Sequence, residues 1–359
     1  MDFTKYIRES FFTDKKTKKC IFLLVLFLFA GLEMYQYFGH KKQDGFPIDL
    51  VYTWVDGNDE EWAAKKSYWQ QKTGAKNPYA VHQARSRDRE ELKHSLRSVE
   101  KYMPWVNKIY IVTDNQVPEW LNTNHPKIKI VDHKEILPLN ALPVFNSMAI
   151  ETGIANIKGL SEHFIYANDD MFVGKPLPQE FFFTPDGTPI FYKDEKFGMF
   201  LKALYEKEKK EGTMWAHLID NIKKTNEKYG INMELFDFAD NHTFSSYLKS
   251  EYLQAMSFFA EEINKTAYSK FRSEDDLDRT IVFDYSWAFG NVMVVDSKNV
   301  KQYGCKKSGI LVMTHVEDLE KYDPCTFCLN DTHNMPADKL DLHTNIMRKM
   351  FPEKSSFEK

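Results

Sequence analysis

Short apolar runs that each end on an acidic side chain recur through the first half of the chain. "IDLVYTWV" (48–55) runs into Asp56-Gly57, "KIYIVTD" (108–114) ends on Asp114, and "KIKIVDH" (127–133) reaches Asp132. A fourth run, 163–167, meets Asn168, Asp169 and Asp170. Compact β-branched and aromatic runs of this length predict buried strands. Between them, Leu92, Leu96, Val99 and Met103 recur at helical spacing from Asp88 onward, and Ile150, Ile154 and Ile157 predict a second helix. Strands alternating with helices predict an α/β layer built on a mainly parallel sheet.

Beyond residue 180 the alternation fades. "FFFTPDG" and "PIFYKD" suggest a hairpin or sheet edge, 197–228 and 246–263 read as helical, and "NVMVVD" (291–296) returns to strand. The change near 195 suggests a helical insertion over about 195–265. The N-terminus differs from everything after it. Cys20 to Leu32 is an uninterrupted apolar run between lysine clusters, extended to Phe38 by Tyr35 and Tyr37. Full spans need about 20 residues, so 20–38 is expected to anchor the chain to a membrane, spanning or interfacial. A basic N-terminus would place the remainder of a true span on the far side, as in a Golgi-type luminal enzyme. The shortness of the run favours an interfacial or re-entrant anchor with a cytoplasmic catalytic domain. The expected organisation is therefore anchor and linker over 1–47, a catalytic domain over 48–335 and a C-terminal tail over 336–359.

Composition narrows the class. The chain has 359 residues, enough for a large core, and a net charge of −4 that argues against a nucleic-acid partner. Aromatic residues make up 15%, which suits either a dense core or an aromatic-lined cleft. Four cysteines are too few for a disulfide scaffold. The C-x-x-C of Cys325 and Cys328 lies near His315 and His333 and suggests zinc or a redox pair, but one such pair falls short of a zinc site. These cysteines read as structural or incidental thiols.

The acidic strand ends are the candidate chemistry. In open α/β sheets, ligands bind beyond the carboxyl ends of the strands. Asp114 and Asp132 are explained by helix capping. Asn168-Asp169-Asp170 supports two readings: an Asx-capped turn, or carboxylates that hold a hard divalent cation against phosphates.

Longer stretches carry more information. "VYTWVDG" (51–57), "RDREELKHSLRSVEKYMPW" (87–105), "IYIVTDNQVPEWLN" (109–122), "LPVFNSMAIE" (142–151) and "GLSEHFIYANDDMF" (159–172) occur in order. Together with "NHTFSSYL" (241–248), "KFRSEDD" (270–276) and "CLND" (328–331), they resemble the Stealth family. That family includes bacterial capsular-polysaccharide phosphotransferases and the catalytic subunit of N-acetylglucosamine-1-phosphotransferase. The resemblance implies a Rossmann-like nucleotide-sugar-transferase sheet with helices on both faces. It also implies transfer of a sugar-1-phosphate from a nucleotide-diphosphate sugar to a glycan hydroxyl, with release of a nucleoside monophosphate and retention of the C1–O bond. Such a step needs alignment, charge neutralisation and a proton acceptor. On this reading Asp169, Asp170 and Asp331 hold Mg²⁺ or Mn²⁺, Asn330 helps complete that shell or a phosphate shell, Asp56 lies near the nucleotide or the same metal, and Asn168 faces the nucleotide. His242 takes the acceptor proton, Arg272 forks onto phosphate, Arg87 contacts phosphate and Asp88 caps the following helix. Alternatives are an ordinary metal-dependent glycosyltransferase, which releases the nucleoside diphosphate, and a membrane-tethered glycan-binding protein without turnover.

Overall fold

Strand order decides where this molecule can hold a ligand. In the computed structural model, which describes residues 45–233, 242–312, 315–332 and 334–359, the predicted strands form in place. They are β1 (Ile48–Thr53), β2 (Ile109–Thr113), β3 (Ile128–Asp132) and β4 (His163–Asn168), and they are mutually parallel. Later strands are β5 (Met171–Val173), β6 (Ile190–Lys193), β7 (Ser245–Leu248), β8 (Met293–Asp296), β9 (Leu311–Val312) and β10 (Thr326–Leu329). The central sheet runs β3-β2-β1-β4-β7, with only β7 antiparallel to its neighbour. The chain builds outward from β1 to β3, then returns to the other side of β1 as β4. The switch point therefore falls between β1 and β4, where Thr53 pairs in register with Asn168.

Helices cover both faces. Helix α1 (Glu60–Thr73) follows β1, and α2 (Glu91–Tyr102) carries the predicted apolar stripe, with Leu92, Leu96 and Val99 buried. Tyr52 and Ser95 share a 2.6 Å hydrogen bond that ties α2 to one face of β1. Side chains alternate along a strand, so Val51 points the other way. It joins Tyr110, Val112, Phe164 and Tyr166 in a core shared with Tyr252 and Ile281. The helix expected through Ile150, Ile154 and Ile157 is broken. Helix α3 (Ser147–Glu151) stops and a 3₁₀ turn, Ile154–Asn156, follows. Gly153 lies at the break, where an added Cβ would meet the Ile136 carbonyl oxygen at 2.6 Å.

The region read as a helical insertion holds α4 (Glu195–Glu211) and α5 (Met214–Lys228), but also a strand. Residues 245–248, partly read as helix, are β7. "SSYL" alternates buried and half-buried side chains and pairs with the open edge of β4, and α6 (Lys249–Phe258) starts only after it. Helix α7 (Thr280–Ala288) packs on α6 through the shared core.

Behind the sheet's carboxyl end, β5, β10 and β9 form a separate three-stranded sheet, and β6 pairs with β8. Cys325 bonds to Cys305, not to Cys328, which is a free buried thiol; the C-x-x-C is neither a redox pair nor half of a zinc site. His333 lies outside the described residues. The segment expected as a tail is instead packed. Helix α8 (Ala337–Met350) buries Met347 and, with Phe351, joins Phe172 and Phe327 in one cluster.

By contact the chain divides into Met1–Phe46 and Pro47–Lys359, and everything above concerns the second unit. The expected anchor, 20–38, lies outside the described residues. The expectation of membrane localisation, whether facing the cytoplasm or a Golgi lumen, is corrected: no helix among the described residues is long and apolar enough to cross a membrane.

Candidate active site

The carboxyl ends of β1 and β4 lie side by side, and the acidic residues that follow those strands act on one another through Asp88. Asp56 follows β1. Its backbone N–H donates to Gln116 Oε1 (3.1 Å) and its carbonyl accepts from Gln116 Nε2 (2.9 Å). The buried amide of Gln116 thus clamps the loop from both sides. Asn168 ends β4. Its Oδ1 lies 2.9 Å from the Tyr166 hydroxyl, which also reaches Glu151 Oε1 and Thr53 Oγ1 at 3.0 Å each. Asp169 and Asp170 make the turn into β5, and β5 pairs antiparallel with β10, setting Met171 opposite Cys328. A hydrogen bond from Leu329 N–H to the Asp170 carbonyl (2.9 Å) closes this corner and brings Asn330 and Asp331 beside the turn. Helix α2 holds β5 from behind: Ser95 Oγ donates to the Met171 carbonyl at 2.5 Å, and Val173 N–H donates to Ser98 Oγ at 3.0 Å.

The loop before α2 supplies the opposite charge. Arg87 Nη1 pairs with Asp331 Oδ2 at 2.8 Å, joining residues 244 positions apart. Arg89 Nη2 pairs with Glu91 Oε1 at 2.8 Å. Arg85 Nε donates to the Tyr79 carbonyl at 3.1 Å. Arg272 arrives from 125 residues beyond Ser147, to whose Oγ its Nη2 donates at 2.8 Å.

The carboxylates crowd one another. Burial pushes Asp169 well above the ordinary range, helped by the charges of Asp170, Glu91 and Asp88. Asp170 is also raised by burial, against the pull of Cys328 and Arg89. Burial, then the charges of Glu91 and Asp56, push Asp88 up to about 6. Glu151 is pushed up to about 7, by burial first and then by Asp278. Uncompensated negative charge in a part-buried setting disfavours ionisation, and a bound cation would reverse that balance.

These contacts test the metal expectation. Among the described residues, no group of three or more His, Cys, Asp or Glu side chains is gathered closely enough to hold a metal ion unaided. Yet Asp170 Oδ1 and Asp331 Oδ1 are buried without a hydrogen-bond partner. Two hard oxygen donors fit Mg²⁺, which typically takes one or two carboxylates and completes its shell with water and substrate phosphates.

His242 stands at positive φ (49°) just before β7. Its charge helps hold Asp278 below the ordinary range: burial opposes ionisation there, but Arg279, Thr280 and His242 outweigh it. Asp278 in turn acts on Glu151, which accepts from the Tyr166 hydroxyl. His242 and the turn are thus linked through the electrostatic influence of Asp278 on Glu151.

Residues 46–74 match Stealth protein CR1, conserved region 1, and residues 85–191 match Stealth protein CR2, conserved region 2. The capsular polysaccharide phosphotransferase fcs1 of Haemophilus influenzae is 35% identical over 292 residues, covering 80% of this chain and 78% of that protein. The chain belongs to the Stealth family. The exopolysaccharide phosphotransferase cps2G of Lactiplantibacillus plantarum is 32% identical, over 88% of this chain and 97% of that one. Among solved structures, the galactosyltransferase LgtC is similar at TM-score 0.43 and 11% identity, over 86% of this chain and 96% of that one.

In this Stealth protein, Asp169 and Asp170 feel the charges of Asp88 and Asp331 respectively, Asp88 feels that of Asp56, and Arg87 is bound to Asp331. Two expectations are corrected. Asp88 does not cap α2: the residue before the helix is Glu90, in the left-handed region and without a side-chain cap, and Asp88 Oδ1 accepts from Glu90 N–H at 2.9 Å. Asp114 is not a cap but ion-pairs with Lys65, whereas Asp132 does cap, sharing a capping box with Glu135. Gln116 and Glu151 had no signal beyond a polar letter in a motif, and Arg85 lies outside every motif quoted above.

Proposed function

We propose that this Stealth protein transfers a sugar-1-phosphate from a nucleotide-diphosphate sugar to a hydroxyl of a growing glycan, in capsule or exopolysaccharide synthesis. The phosphotransferase names of its relatives support the reaction class. The observation that carries the reading is the pairing, at one switch point, of orphaned carboxylate oxygens with guanidinium groups. Cation-binding and phosphate-binding groups together suit a pyrophosphate better than a neutral sugar.

The acceptor oxygen attacks the β-phosphorus. The bond from that phosphorus to the bridging oxygen breaks, and the nucleoside monophosphate leaves with the electron pair. The sugar C1–O bond is untouched. His242 accepts the hydroxyl proton, and the ionised Asp278 near it stabilises the resulting imidazolium. Arg272 binds the transferring phosphoryl oxygens. Arg87 orients Asp331 through their ion pair, a positioning part in place of the phosphate contact expected from sequence. Asp56, fixed by Gln116, faces the nucleotide, and Asn168 is aimed by Tyr166. Asp169, Asp170 and Asp331 would hold Mg²⁺ or Mn²⁺, which supplies charge neutralisation to the pyrophosphate.

The test is product analysis with candidate nucleotide sugars and a glycan acceptor, with and without a chelator. The expected product is nucleoside monophosphate, in a chelator-sensitive reaction that His242→Gln slows by about 10²- to 10⁴-fold. Release of nucleoside diphosphate alone would reject this mechanism in favour of ordinary glycosyl transfer.

A further inference from the structure

Two guanidinium groups near the acidic turn share a tyrosine and lack carboxylate partners among the described residues. Arg85 and Arg272 lie 187 positions apart in sequence, yet their guanidinium carbons sit 4.5 and 5.2 Å from the centroid of the Tyr79 ring. Neither forms an ion pair with a carboxylate among the described residues; Arg85 is fixed by the Tyr79 carbonyl and Arg272 by Ser147. Asp331 gives one oxygen to Arg87, Asp276, close to Arg272 in sequence, is held by Asn146 and Ser273, and Asp331 and Asp170 reach Arg85 as nearby charges without pairing with it. Two part-buried cations held this close repel, and the charge of Arg272 works with burial to lower the Arg85 guanidinium to about 10. Folding has put a like-charge pair in a part-buried setting where the charges of Asp331 and Asp170 offset it only in part. The natural complement is a ligand with two or more negative charges spread over adjacent oxygens.

We infer that Arg85 and Arg272 form a two-armed clamp for the diphosphate of the donor, with Arg85 the arm that discriminates a diphosphate from a single phosphate. This rests on the reaction class proposed above for the same site. Tyr79 acts as the spacer. Its ring face attracts both guanidinium groups, holds them at one separation and leaves their N–H edges for the ligand. A lysine at position 85 would keep the charge and lose both the stacking and the planar fork.

The experiment measures binding of inorganic pyrophosphate and of orthophosphate to the full chain by calorimetry, with magnesium present. Arg85→Gln is expected to weaken pyrophosphate by about 10- to 100-fold and orthophosphate by less than about 3-fold, so that the preference for pyrophosphate collapses. Arg85→Lys should lie between the two, and it carries the test if the glutamine variant fails to fold. Arg272→Gln should weaken both ligands. The inference is overturned if folded Arg85 variants bind pyrophosphate as the parent does, if they lose both ligands equally, or if the parent shows no preference for pyrophosphate. An Arg85-dependent preference in a protein that yields no nucleoside monophosphate would uphold the clamp while the proposed reaction fell.

Discussion

Asp284, on α7, is fully buried, and one of its oxygens has no hydrogen-bond partner. Asn226 donates to the other at 2.8 Å, but Asn226 Oδ1 is itself orphaned. Burial, then the nearby charge of Asp278, push Asp284 up to about 7 from an ordinary 3.8. A carboxyl whose folded pKa is raised stays protonated in the fold while the unfolded chain has already released its proton. Its contribution to stability is therefore largest below about pH 4, declines as pH rises to about 7, and is flat beyond. Asp284→Asn removes the titration and supplies a donor that can meet Asn226 Oδ1. Chemical denaturation should find the variant more stable than the parent by about 2–4 kcal/mol at pH 8, with little difference at pH 4. A parent with no stability loss between those values would show that Asp284 finds its counter-charge elsewhere.

Elements deliver the site only because two loops touch. The turn after β1 carries Asp56, the turn before α2 carries Arg85 and Arg87, and they meet where Gly57 N–H donates to the Ser86 carbonyl at 2.8 Å. A Cβ at Gly57 would come within 2.3 Å of that oxygen, which is backbone and cannot swing aside. Gly57→Ala is thus expected to push the loops apart. Transfer activity should drop by about 10-fold or more, with a loss of stability of about 1–3 kcal/mol, read by turnover and thermal melting of one preparation. Nothing in "VDG" announces that contact. The strands were legible because an apolar run followed by an acid is a local pattern, and the place of the site followed from strand order. What escaped was set by partners distant in sequence. Arg87 meets Asp331 only because β5 pairs with β10, Cys325 chooses Cys305 over its neighbour Cys328, and the polar "SSYL" becomes a strand only because β4 has an open edge.

Across the whole catalytic unit, residues 337–359 close the structure around the site's supporting helix. Arg97 of α2 forks onto Glu358 with two 2.8 Å hydrogen bonds, Leu121 bridges to Glu358, and Lys359 N–H donates to the Trp120 carbonyl. Met347, Phe351 and Phe357 are buried, and such side chains contribute about 1.5–3 kcal/mol each. Arg89 Nη1 donates to the Leu340 carbonyl, so the same segment steadies the arginine-bearing loop. Burial opposes ionisation of Glu358, but Arg97 and Ser355 outweigh it and hold the carboxyl down to about 2. For a carboxyl lowered in the fold, the stabilisation is present above about pH 4.5 and lost as pH falls toward 2. Glu358→Gln should therefore cost about 2–3 kcal/mol at pH 7 and under about 1 kcal/mol at pH 2.5, with pyrophosphate affinity unchanged in the folded fraction. Removing 337–359 should do more: it strips the apolar anchors and the Arg89 contact together, so that stability and pyrophosphate binding fall in step. A truncated chain that melted lower yet bound pyrophosphate as the parent does would show that the arginine loop is held by β1 and α2 alone.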